Sequence, residues 1–452
     1  MFFMDSRLRG NDRDSIRETS FLVVTLPRMT FTKGQAERGA MCYPHLTKAE
    51  EMFYNSTSNP GGRRRMTRIF KVEKSHAGII SKATMFKVLK YLDREKVDTP
   101  VLLLDRDKIR EKASILGSHI RNSRVFYAVK ANPDIETLRL VNGLGLGFEI
   151  ASEGELAMLS RIGVEPERII SSNPVKSYKF LEMAASYKVG YFAYDSRDEV
   201  EKLARMVPGS SVYVRLSVPN EGSEWPLSRK FGVEPDAAME LISYAGERGL
   251  DPAGITFHVG SQCLNIYNWN TAIYKVRALW ESAEKRGLTM RMLNIGGGHP
   301  IRYTKSVVSV EAIEKNVDRL IRDNFPGDTE VFIEPGRAVV GDAGVFVSSV
   351  IGRARRADEN WLYIDVGVFN GLMESLGGIK YSYLVEGPGD APQRKNYTIA
   401  GPSCDSFDVL DREVPLPEPE VGGLVLVLSS GAYTISYASE FNGFSIPKTI
   451  LI

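Results

Sequence analysis

Cysteine is nearly missing from this sequence: its 452 residues include only Cys42, Cys263 and Cys404, with no CxxC spacing. So sparse and odd a set argues against a disulfide framework or a structural zinc site. It points to a reducing compartment, by default the cytoplasm. No apolar run approaches the roughly 18 residues that a membrane helix needs. A surplus of charge is lacking too, because 58 basic side chains face 56 acidic ones for a net +2. That balance announces neither a nucleic-acid partner nor a membrane surface. What is present, 43% apolar, 25% charged and 10% aromatic residues, suits a globular chain with room for two domains.

The slight basicity is unevenly placed. Up to Ser75 there are 14 basic and 8 acidic residues; beyond it there are 44 and 48. This first part shows no sustained period of 3.6 or 2, and its stretch Tyr54 to Arg65 (YNSTSNPGGRRR) is polar and turn-rich. It reads as an unstructured leader over residues 1–75, or as an over-extended start with the working start near Met66. Phe21 to Leu26 (FLVVTL) is too short for a signal-peptide core and has no small-residue cleavage site after it.

From Ala83 the texture becomes orderly. Eight short apolar, β-branched runs alternate with amphipathic stretches: Val125 to Ala131, Gly147 to Ser152, Ile169 to Asn173, Tyr191 to Ser196, Val212 to Val218, Gly254 to Ser261, Met292 to Gly298 and Glu330 to Arg337. Between the second and third, Ser152 and Glu155 form a capping box and Gly163 a stop, which predicts a helix. Eight β/α units predict a (β/α)8 TIM barrel, here over residues 107–340. An open doubly wound sheet is the rival, but GLGLG (Gly143 to Gly147) precedes a strand where a dinucleotide loop would follow one. After Arg337, strand-like runs separated by Pro- and Gly-rich turns predict an all-β domain over 341–452. A strand near 98–106 could join it from upstream.

Nearly every barrel run ends in a reactive or glycine-rich group: Lys130, Glu149, Arg215, His258 with Ser261, Gly296 to Gly298, then Glu334 with Arg337. Barrel enzymes place their sites at these strand ends. A lone lysine is usually solvated, but Lys130 follows Phe126 to Val129, so its amine should emerge from an apolar wall that lowers its pKa and favours Schiff-base chemistry. The three glycines let backbone amides approach an anion, and Glu334 and Arg337 add a carboxylate and a guanidinium. Lysine, anion cradle and carboxylate together suggest pyridoxal 5′-phosphate.

The segments FYAVKAN (Phe126 to Asn132), EWPLSRKFG (Glu224 to Gly232), FHVGSQ (Phe257 to Gln262), IGGG (Ile295 to Gly298), EPGR (Glu334 to Arg337), GPSCDSFDVL (Gly401 to Leu410), GAYT (Gly431 to Thr434) and FNGF (Phe441 to Phe444) resemble the fold-type III pyridoxal-phosphate decarboxylases. The ornithine/lysine decarboxylase branch is nearest, and the likeness runs from about Asp98 to Ile452. The resemblance implies an alanine-racemase-like barrel with a C-terminal β domain, in a head-to-tail homodimer with shared sites. By the same resemblance Lys130 carries the cofactor as a Schiff base, His258 stacks on its ring and Glu334 pairs with the ring nitrogen. Ser261, Gly297, Gly298, Arg337 and Tyr433 hold its phosphate, and Glu149 and Arg215 are counted with the cofactor-binding residues. Cys404, supplied by the other subunit, protonates the product carbanion. Asp405 stands beside the substrate's distal amine, and Phe441 walls the pocket.

The implied reaction is decarboxylation of a basic L-amino acid, foremost ornithine to putrescine in polyamine biosynthesis, with lysine to cadaverine beside it. Related bacterial enzymes carry a further acid after a GLxE-like segment. Here Gly371 to Tyr381 reads GLMESLGGIKY, with Gly377-Gly378 and one residue fewer, which leaves Glu374 and Asp405 as the candidate substrate acids. Arginine and diaminopimelate therefore stay open as substrates, although Asp405 stands where a diaminopimelate enzyme has glutamate. A non-catalytic regulatory homologue is the competing class, and Lys130, Cys404 and Glu334 speak against it. Glu334 also speaks against a racemase, which would place arginine at the ring nitrogen.

Overall fold

The computed structural model describes Phe70, Val72, His76 and residues 78–226, 230–387 and 394–452. The expected leader, with Cys42, lies outside the described residues except at its end. There Phe70 is buried and bridges to Glu386.

Eight parallel strands close into a barrel: Ser123–Ala128, Gly147–Glu149, Ile169–Ser171, Tyr191–Tyr194, Ser211–Arg215, Asp251–Thr256, Met292–Asn294 and Glu330–Ile333. The last pairs with the first, Val331 opposite Ser123, and this closure excludes the open sheet. Each strand coincides with one of the eight expected runs, but most stop several residues earlier. The first leaves the ladder at Ala128, and Val129–Ala131 forms a 3-10 turn. Lys130, His258, Gly296 to Gly298 and Glu334 lie just past their ladders, whereas Glu149 and Arg215 are the last residues within theirs.

Below that mouth the barrel interior is plugged by Phe126, Ile170, Ala193, Tyr213, Met292 and Phe332. Phe126 and Phe332 bring their ring centroids to 4.8 Å. Side chains on the alternate positions, such as Tyr127, Phe148 and Phe192, face outward into the layer of helices, as the two-residue period of a strand requires. Serine side chains cap the starts of helices Glu153–Arg161, Tyr178–Tyr187, Arg197–Met206 and Val310–Asn324. Each accepts from an amide of the first turn that would otherwise lack a partner. Half of the expected capping box is present, with Glu155 N–H donating to Ser152 Oγ; the Glu155 carboxylate reaches one residue past the cap and accepts from Ala151 N–H at 2.6 Å.

Beyond the barrel, an eight-stranded sheet runs from Gly344–Arg356 to Lys448–Leu451 and takes in Val101–Leu104 from upstream. That strand pairs antiparallel with Gly344–Arg356 and parallel with Lys448–Leu451. Helix Lys82–Arg94 covers one face of the sheet, burying Met85, Val88, Leu89 and Leu92 against Leu103, Val345, Val347 and Leu426. The β region thus draws strands from both sides of the barrel in sequence, and it anchors the turn after the barrel's first strand to the wall of the site: Tyr433 N–H donates to Ala131 O at 2.7 Å.

Candidate active site

The strand ends converge on one enclosed cavity lined by Ala128, Lys130, His258, Ser261, Gly298, His299, Glu334, Gly336, Arg337 and Tyr433. Lys130 projects from its 3-10 turn with half its side-chain surface facing this space, and its Nζ bonds to the Glu149 carboxylate. The expectation of a depressed lysine pKa needs correction. Burial does oppose the ammonium, but Glu149, Tyr433 and Glu334 outweigh it and hold the group above its ordinary value. The apolar approach Phe126 to Val129 is real, but it points the amine at a buried carboxylate.

Glu334 closes the eighth strand. Its buried carboxylate accepts from Ser172 Oγ and from Asn294 Nδ2, and Ser172 in turn meets the Tyr213 hydroxyl at 2.7 Å. Burial and the charge of Glu149 push the Glu334 carboxyl above its usual range. A cationic ring placed here would reverse that push. Arg215, at the end of the fifth strand, lies 5.4 Å over the Phe231 ring, its pKa lowered by burial. His258 Nδ1 accepts from Gly260 N–H at 3.0 Å, which leaves the ring proton on Nε2. Burial, then Arg215 and Lys130, lower the His258 pKa and keep the ring neutral.

At the other end of the cavity the glycines sit where no side chain fits. A Cβ on Gly297 would lie 2.4 Å from Glu334 O and 3.4 Å from His258 Nε2; one on Gly298 would lie 2.5 Å from Gly260 O. Gly298 also has φ +98°, a left-handed conformation that favours glycine. Arg337 is buried, and its two terminal nitrogens are committed: both donate to Glu374 at 2.7 Å, and they also reach Ser261 Oγ at 3.0 Å and the Tyr303 hydroxyl. Its Nε has no partner among the described residues. An orphaned guanidinium N–H beside a glycine cradle fits a bound phosphate, as an amine, a carboxylate and a neutral imidazole fit a pyridine aldehyde ring.

The cavity thus collects Lys130, His258, Ser261, Gly298, Glu334, Arg337 and Tyr433, with Glu149 against Lys130 and Gly297 beneath His258. Glu374 comes close by a different route, as the buried partner of Arg337. Cys404, Asp405 and Phe441 do not line it. Cys404 is exposed, with Sγ 3.3 Å from Asn442 Oδ1, and Asp405 Oδ1 accepts from Phe407 N–H at 2.8 Å. Phe441 is 39% exposed and packs on Phe369 with centroids 4.6 Å apart. Sequence reasoning passed over Ser172, Asn294, Tyr303 and His299. Ser172 and Asn294 carried a signal, being polar groups at the ends of the apolar runs IISSN and MLNI.

With this geometry in place, the comparison with known families is decisive. Residues 106–341, more than half of the chain, match the family described as "pyridoxal-dependent decarboxylase, pyridoxal binding domain". The chain belongs to that family. Its cofactor is pyridoxal 5′-phosphate, and it is a decarboxylase of the ornithine/lysine branch. Among relatives of this decarboxylase, the lysine/ornithine decarboxylase of Selenomonas ruminantium is 39% identical over 367 residues, 79% of this chain and 90% of the relative. The crystal structure of the lysine/ornithine decarboxylase of Vibrio vulnificus complexed with putrescine superposes with a TM-score of 0.74 at 30% identity, over 82% of this chain and 99% of that one. Antizyme inhibitor 2 of Xenopus laevis is also 30% identical over 364 residues, 75% of this chain and 80% of that protein. Its name marks a regulatory member within the same sequence distance.

Proposed function

We propose that this decarboxylase removes CO₂ from L-ornithine to give putrescine, with L-lysine to cadaverine as a second reaction, and serves polyamine biosynthesis in the cytoplasm. The observation that carries an enzymatic reading over a regulatory one is the complete constellation around Lys130: Glu149 on its amine, Glu334 held by Ser172 and Asn294, and the glycine and Arg337 cradle opposite. Residues 107–340 are the cofactor-binding barrel and 341–452 the C-terminal β domain in this reading.

Bound pyridoxal phosphate supplies the sink for the electron pair left when CO₂ departs. Lys130 tethers it through Nζ and accepts or returns a proton there. Glu334 would hold a proton at the ring nitrogen, and the neutral His258 ring would supply a wall of the cofactor pocket. Gly297, Gly298, Ser261, Arg337 and Tyr433 take the phosphate, while Arg215 and Glu149 tune the charge around the ring. Both carboxylate oxygens of Glu374 are engaged by Arg337, so Asp405 is the acid left for the distal ammonium of the substrate.

Cys404, Asp405 and Phe441 act in the site of a second copy of the chain, Cys404 delivering the proton to the product carbon. Their position outside the Lys130 cavity supports this, as does the exposed apolar surface that Phe441 and Phe407, bonded through its N–H to Asp405, present at 39% and 69%. Cys263 and Cys404 are both free thiols, in keeping with a reducing compartment. Among the described residues no helix is long and apolar enough to cross a membrane. The test is CO₂ release from ornithine, lysine, arginine and diaminopimelate by protein reconstituted with pyridoxal phosphate. Turnover should rank ornithine first and lysine second; no turnover with any of the four would overturn the proposal.

A further inference from the structure

His299 directly follows the glycine run and lines the same cavity as Ser261, Gly298 and Arg337. It is 2% exposed, and neither ring nitrogen has a hydrogen-bond partner among the described residues. Leaving a buried polar atom unmatched carries its full desolvation cost. An apolar ring of similar size would fill the position without that cost, so the imidazole calls for a partner that arrives later.

Two neighbours narrow the choice. The Trp269 ring lies with its centroid 5.6 Å from that of His299, and its indole Nε1–H is also unmatched. Burial lowers the His299 pKa to about 4, so the ring is neutral and offers one N–H and one lone pair. An indole can only donate, and Trp269 Nε1–H makes no bond to the imidazole, so the His299 N–H is left for the cavity. On the cavity side, donors are fewer than the arginine suggests. Glu374 neutralises Arg337 and, with Tyr303 and Ser261, occupies both terminal nitrogens, so the guanidinium offers only Nε–H. A phosphate entering this cradle has acceptor sites to spare.

We propose that His299 donates a hydrogen bond to the 5′-phosphate of the cofactor and is a further cofactor-binding residue of this enzyme. The inference rests on reading the glycine run as the phosphate cradle. It adds a donor that neither the charge pattern nor the family resemblance brought forward.

The experiment compares binding of pyridoxal phosphate with that of 5′-deoxypyridoxal, which lacks the phosphate, to wild type, His299→Phe and His299→Gln, by visible absorbance and fluorescence. His299→Phe should weaken the phosphorylated compound about tenfold, the scale of one hydrogen bond to a charged group, and leave the deoxy compound unchanged. His299→Gln, which keeps a donor, should recover most of the loss. The ³¹P resonance of the bound cofactor should move in His299→Phe and return toward its wild-type position in His299→Gln. Equal weakening of both compounds would reduce His299 to a packing role, and unchanged binding with an unchanged ³¹P resonance would also overturn the proposal. Wild type that binds neither compound would instead overturn the cradle reading on which it stands.

Discussion

The two ends of the proposed site are built on different terms. At the cofactor end, Lys130 is tied to Glu149, and Glu334 and Arg337 are each tied to two or more neighbours, all in one chain and mostly inside a barrel whose interior is plugged below them. At the substrate end, Cys404, Asp405 and Phe441 stand on loops of the β region, two of them exposed, with Asn442 and Phe369 as their contacts. The buried end can be complete in a monomer. In the proposed reading the exposed end acts when a second copy covers it, and an isologous pairing of two chains would cover both copies at once.

The sharpest way to break this contrast is to separate the two ends in different chains. Lys130→Ala should abolish the visible absorbance of the lysine-bound cofactor and lower turnover by at least about a thousandfold, since it removes the group that tethers and exchanges protons. Cys404→Ala should keep the absorbance and lose most turnover. Mixing and re-equilibrating the two inactive proteins should restore up to about a quarter of wild-type activity, because half of randomly paired dimers carry one intact site of two. If mixing restores nothing, the Cys404 assignment to a neighbouring chain fails.

Next in size is the pair that joins the phosphate cradle to the β region. Glu374→Gln leaves the buried Arg337 charge without its two-pronged partner, and breaking such a pair costs about 3–5 kcal/mol. Denaturant unfolding of the cofactor-free protein should show that loss, and saturating pyridoxal phosphate should return most of it by supplying a new anion to Arg337. A loss of the same size with and without cofactor would mean that the phosphate does not reach Arg337.

How much of this was visible in the sequence follows the same divide. The eight barrel strands were legible because buried parallel strands read as short continuous apolar runs between amphipathic helices. Lys130, His258 and Glu334 were legible because they break those runs at the C-terminal end. The pairing of Glu374 with Arg337 was not, since it joins residues 37 apart across two folding units, and no local pattern encodes it. Nor was the sign of the Lys130 shift: the apolar lead-in was visible, but Glu149 lies on the adjacent strand, and only register places Ala128 opposite Glu149. His299 was overlooked because the glycines before it already explained the turn.

The smallest effect tests the electrostatics of the buried end. Burial, with Glu149 nearby, raises the Glu155 carboxyl to about 7, whereas in the unfolded chain it titrates near the ordinary value of 4.5. Between these two values the folded protein keeps a proton that the unfolded chain has released. Stability is therefore full below about pH 4.5 and declines as pH rises through 7. The shift corresponds to about 3 kcal/mol at most, and partial exposure brings the expectation to about 1–2 kcal/mol. Glu155→Gln can still accept from Ala151 N–H, so it should keep the helix start and remove the slope. In urea unfolding of cofactor-free protein, the variant should match wild type near pH 5 and exceed it near pH 8. Parallel stability profiles across that range would show that burial does not lift the Glu155 carboxyl, since burial is the larger cause and would leave a slope even with the Glu149 charge neutralised by Lys130.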